Sequence, residues 1–73
     1  MNKIPCIIQC CDSVFDGLEF DFLALPRPGD RLCLRRVIGM ETVTKYFTVL
    51  RVEFYADNFS DAQPEVHLTV QQD

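Results

Sequence analysis

The side chains with most chemical potential in this chain are four cysteines, Cys6, Cys10, Cys11 and Cys33, and a single histidine, His67. Zinc needs four soft or borderline ligands converging tetrahedrally. The spacing here is Cys-x3-Cys-Cys with two remote residues, and it lacks the close pairs of zinc motifs. On a straight strand Cys6 and Cys10 stand about 13 Å apart, too far for one ion. They read as small apolar side chains, and neither a metal nor a cofactor is expected. Cysteine catalysis requires a base at hydrogen-bond distance from a thiolate. The only histidine falls on the outward face of the last predicted strand. Cys33, between Arg31 and Arg35, has the most positive surroundings of the four thiols and an accessible, outward register. Carboxylates are plentiful, but none has a pocket context, so the residues do not compose a catalytic mechanism and an enzyme is not expected.

The even cysteine count also fits two disulfides, which belong to oxidising compartments. Met1 to Ile8 carries one positive charge and a short apolar run cut by Pro5, unlike the long apolar region of a secretion signal. No segment approaches the ~20 apolar residues of a membrane span. Free thiols and a cytoplasmic setting are the expectation.

Charge is the most informative surface feature. Seven Lys and Arg stand against eleven Asp and Glu, a formal net charge of −4. Nucleic-acid binders draw most of their affinity from cations on phosphates, and anionic membranes attract basic segments, so both partners are disfavoured. Asp12, Asp16, Glu19 and Asp21 form an acidic stretch without an intervening base. Arg27, Arg31, Arg35 and Arg36 form a basic stretch interrupted only by Asp30. The plain reading is that the two stretches face each other or are solvated. Two sharper readings stand beside it. Arg31, Arg35 and Arg36, with Lys45 and Phe47 nearby, would touch RNA or an acidic protein. Alternatively the acidic stretch of Asp12, Asp16, Glu19 and Asp21, with Asp57, Asp61 and Glu65, would imitate phosphates and occupy a basic groove on a partner. Phe59, alone in a polar loop, either folds back onto the domain or anchors an interface.

These surfaces need a scaffold. Seventy-three residues allow one domain, 1–73, with a thin stability margin. Yet 48% of the residues are hydrophobic and six are Phe, a surplus that a homodimer or an apolar docking patch would use. Period-two alternation predicts strands. Ile4 to Cys11 places Ile4, Cys6, Ile8 and Cys10 on one face. The next strand covers 18–25, preceded by a turn or a short helical turn near 13–17, where Ser13 and Asp16 have the spacing of a capping box. Pro28-Gly29 specifies a type II turn. Arg31 to Val37 follows with Leu32 and Leu34 inward, and Arg36 on the inward register implies a bulge or departure from the core. Ile38 to Glu41 is a hairpin connection. Val43 to Ala56 is a long strand with Tyr46, Thr48, Leu50, Val52 and Phe54 on one face. Val66, Leu68 and Val70 mark a last strand, and Gln72-Asp73 is expected to fray.

Leu25-Pro26-Arg27-Pro28-Gly29-Asp30-Arg31-Leu32 resembles the Pro-x-x-Gly-Asp turn that opens a strand in many SH3-like barrels, and is similar to small uncharacterised bacterial and phage proteins with that turn. Tyr46 to Val52 fits the long strand that follows. The likeness spans the order of elements over roughly 25–70 and implies a small five-stranded, SH3-like or related antiparallel barrel. It carries no functional site, because fold does not give function. The function expected is a protein-interaction or assembly module, its partner another protein or a second copy. The alternatives are an acidic inhibitor of a nucleic-acid-handling enzyme, encoded by a mobile element, and a weak RNA-binding barrel.

Overall fold

The computed structural model describes residues 3–58 and 64–73. Over these residues alternation becomes strand: β1 (Ile4–Gln9), β2 (Glu19–Phe22), β3 (Arg31–Ile38), β4 (Glu41–Tyr55) and β5 (Glu65–Gln72). They form one sheet in the order β2-β1-β5-β4-β3, strongly curled into a half-barrel of the small β-barrel class. Among the described residues there is no helix long and apolar enough to cross a membrane. Pairing is antiparallel except between β1 and β5, which run parallel, so the sheet is mixed rather than wholly antiparallel. A parallel pair needs a long crossover, and everything from β2 to β4 supplies it.

The concave side holds the core: Cys6 and Ile8 from β1, Leu32 and Leu34 from β3, Phe47 and Val49 from β4, Leu68 and Val70 from β5, and Phe15. Phe15 lies outside any strand. It comes from a single helical turn in which the Asp12 carbonyl accepts from the amides of Phe15 and Asp16 at 3.2 and 2.9 Å. Asp12 Oδ1 accepts from the Val14 amide at 2.8 Å, so the turn is opened by Asp12. The Ser13–Asp16 capping box does not form. Asp16 reaches back instead, its Oδ1 accepting from the Cys10 amide at 3.0 Å. The turn thus places the Phe15 ring edge-on to Phe47, centroids 5.5 Å apart, and 6.2 Å from Phe20.

The two predicted turns are where the sequence puts them. Asp30 donates to the Arg27 carbonyl at 3.0 Å, with Pro28 and Gly29 between and Gly29 at φ 94°, the type II arrangement. Ile38 pairs with Glu41 across a two-residue loop. Gly39 has φ 62° and Met40 does not, which makes a type II′ hairpin turn whose twist matches the strands.

β4 departs from simple alternation. Val49 pairs with Val70 and Arg51 with Thr69, leaving Leu50 as the extra residue of a bulge. Side chains alternate strictly along a strand, so one inserted residue exchanges the faces. Phe47 and Val49 point inward before it, and Val52 packs against the core after it. The face expected from Tyr46 to Phe54 is therefore split: Tyr46, Thr48 and Leu50 lie off the core, while Val52 joins it. The C-terminal end is also tied rather than frayed. Gln72 pairs with Phe47, and the Asp73 amide donates to the Tyr46 carbonyl at 3.0 Å.

Candidate interaction surface

Of the cations with a sequence-level claim to a partner, most are occupied within the chain. Lys45 lies on the inward register of β4, and its ammonium donates to Asp12 Oδ2 at 2.5 Å. That bond, and then the Val14 amide, hold the Asp12 carboxyl below the usual carboxylate range. Arg36 pairs with Val43 without a bulge; β3 runs on past the core, and Arg36 Nη1 donates to the Val14 carbonyl at 2.6 Å. Both cations pin the turn that inserts Phe15. Arg31 Nε donates to Asp73 Oδ2 at 2.8 Å, with its guanidinium 4.7 Å from the Tyr46 ring centroid. Thr48 Oγ1 donates to the other Asp73 oxygen at 2.7 Å. Arg35 is exposed and makes no ion pair among the described residues. Among the described residues no ion pair joins the acidic stretch to the basic one; Asp12 pairs instead with Lys45, outside both.

Phe47, expected beside the arginines as a contact residue, is completely buried. Its parity along β4, set ahead of the bulge, aims it at the core. Asp16, Glu19 and Asp21 are exposed, the last two on the outward register of β2. Phe59 and Asp61 lie outside the described residues.

The thiols stay apart from the histidine. Cys33 is opposite Tyr46 in the β3–β4 ladder, whereas His67 is opposite Glu53, seven residues farther along β4. At more than 3 Å of rise per residue, no thiol–imidazole pair exists between them. His67 is on the outer face as alternation predicts, but Gln9 Nε2 donates to its Nδ1 at 2.8 Å and its Nε2 donates to Glu65 Oε1 at 2.9 Å. Its ring lies 4.2 Å from that of Tyr55. Burial pushes the Cys6 thiol up, helped by Asp21 and Glu19, and burial also pushes up Cys10. Both are therefore held as thiols rather than as nucleophilic thiolates. Among the described residues no three His, Cys, Asp or Glu side chains converge as metal ligands would.

Three features missed by alternation remain. The first is a groove of about 830 Å³ bordered by Cys10, Cys11, Asp16, Leu50, Arg51 and Gln71. It lies where β1 leaves β5 after the Gln9–Thr69 pair, beside the bulge residue Leu50. The second is the tip of the β3–β4 hairpin, where Val37 is 70% exposed and Met40 fully exposed beside Ile38. The arginine at 36 was the signal, since it marks where β3 leaves the core.

The third feature is a pair of open strands. β2 and β3 end the sheet and pair with only one neighbour each among the described residues. Which backbone groups they leave free follows from the ladders. The Ile8 amide donates to the Leu18 carbonyl at 2.9 Å, so bonded positions on β2 continue at Phe20 and Phe22. Glu19 and Asp21 then direct their N–H and C=O groups away from β1. On β3 the two-residue hairpin makes Ile38–Glu41 a bonded pair, and Arg36, Leu34 and Leu32 follow. Arg31, Cys33, Arg35 and Val37 direct theirs away from β4. One open edge is acidic and the other basic.

Comparison of the chain with protein-family models, with curated proteins and with solved structures finds no match.

Proposed function

We propose that this chain is a small protein-interaction or assembly module working in the cytoplasm. The observation that carries this reading is the hairpin tip: Val37, Ile38 and Met40 hold large apolar side chains in water at the end of β3 and β4. A domain with a thin margin gains nothing from leaving them exposed, and exposed apolar side chains gathered at a hairpin tip fit an interface anchor. The RNA reading is weakened by the chain's own chemistry, because Arg31, Arg36 and Lys45 are each engaged internally. The acidic-inhibitor reading keeps one favourable observation, the exposed carboxylates of Glu19 and Asp21 beside Asp16.

A photoactivatable amino acid in place of Met40, expressed in the cells that make the chain, tests the proposal. A discrete, nuclease-resistant protein adduct is expected. A nuclease-sensitive adduct would favour RNA instead, and the absence of any adduct would overturn the module reading at this surface.

A further inference from the structure

Resting on the module reading and specifying its partner, we infer that the chain assembles head to tail with copies of itself, β2 of one copy hydrogen-bonding to β3 of the next. Four properties of the two edges agree. The first is direction. β2 runs antiparallel to β1, β1 parallel to β5, and β4 and β3 alternate thereafter, so a β3 laid beside β2 in a continued sheet is antiparallel to it.

The second is hydrogen-bond parity. The residues with free backbone groups are Glu19 and Asp21 on one edge and Arg31, Cys33 and Arg35 on the other, and in an antiparallel ladder such residues sit opposite each other and exchange both bonds.

The third is the side-chain face. Placing Glu19 opposite Arg35 puts Asp21 opposite Cys33 and diagonal to Arg31, all on the outer face, where their side chains are exposed. The same register puts Phe20 opposite Leu34 and Phe22 opposite Leu32, all from the apolar face that makes the core. A shift of one residue would set apolar against charged side chains.

The fourth is charge, and it decides the partner. Open edges are usually blunted by charge against casual pairing. Here β2 against β2 opposes carboxylates, and β3 against β3 opposes guanidinium groups. Only β2 against β3 brings opposite signs together, so the same charges that suppress symmetric dimers select the head-to-tail contact. Such a contact is heterologous and generates a ring or an open filament according to whether its rotation closes. Cross-strand ion pairs on an exposed face are screened, so the association weakens as salt rises.

Sedimentation velocity of the full chain, from micromolar to millimolar concentration, tests the inference with four variants whose circular dichroism matches the unaltered protein. The unaltered chain is expected to grow in mass with concentration. Glu19→Arg and Arg35→Glu alone should each weaken association by about tenfold or more, and the two changes together in one chain should restore it. A chain that stays monomeric at every concentration, or one whose association is indifferent to the single reversals, overturns the inference. If association persists in both reversals but is lost in Met40→Asp, the contact runs through the hairpin tip; the edge pairing is then wrong while the module reading stands. The photo-crosslink at position 40 decides the module reading separately.

Discussion

Phe15 fills the space between Phe20 and Phe47 from a turn, and three polar contacts hold that turn: Lys45 on Asp12, Arg36 on the Val14 carbonyl, and Asp16 on the Cys10 amide. Nothing in the local pattern marks this ring as core, because it belongs to neither flanking strand's alternation. Only its buried environment reveals it. Truncation of a buried Phe costs about 3–5 kcal/mol, against a total of about 5–15 kcal/mol for a domain. Phe15→Ala is therefore expected to lower the urea midpoint sharply or to leave the chain unfolded, whereas Phe54→Ala, a ring 66% exposed, should change it little. The Asp12–Lys45 pair adds a pH dependence. Folding lowers the Asp12 carboxyl, so the pair stabilises the fold above the carboxyl's unfolded value and loses that effect as pH falls through the lowered folded value. Asp12→Asn is expected to be less stable at neutral pH and to show a flatter loss of stability through the acid range. Urea titrations across that range measure both effects; an unchanged acid limb in Asp12→Asn would contradict the role given to the pair.

The strands were legible because each has a face to bury. Leu32 and Leu34, Ile8 and Cys6, and Leu68 and Val70 alternate in sequence as they do in the sheet, and Pro28-Gly29 and Gly39 announce the turns that separate strands. The bulge at Leu50 was not legible. Fifteen residues of β4 alternate on both faces with apolar side chains, so neither parity is excluded by sequence, and only pairing to β5 shows where the faces exchange. If Leu50 is the inserted residue, its deletion straightens β4 and leaves Arg51 opposite Thr69 and Val52 opposite Leu68 as they are now, whereas deletion of Val52 puts Glu53, or Arg51 if the bulge is absorbed, opposite Leu68 in the core. Deleting Leu50 should therefore preserve the cooperative thermal transition, while deleting Val52, which brings a charged side chain into the core, should abolish it. A Leu50 deletion that loses the transition would rule out Leu50 as the inserted residue.

At the scale of the molecule, sequence patterning gave the class of fold but suggested a sheet closed on itself. The chain curls without joining β2 to β3. The parallel β1–β5 pair sets the strand order, the Phe15 turn fills the concave side, and the first and last strands of the sheet are left with free backbone groups of opposite surroundings. The arginines and carboxylates noticed in the sequence matter less as patches than as properties of these edges. Among the described residues Arg31, Arg36 and Lys45 have internal partners, while Arg27, Arg35, Glu19 and Asp21 make no ion pair. Amide hydrogen exchange at Glu19, Asp21, Cys33 and Arg35, followed from dilute to concentrated protein, reads the state of both edges directly. Fast exchange in dilute solution that slows together at all four amides on concentration is the predicted result. Slow exchange at every dilution would mean that the edges are bonded within one chain, and fast exchange at every concentration would mean that they never pair.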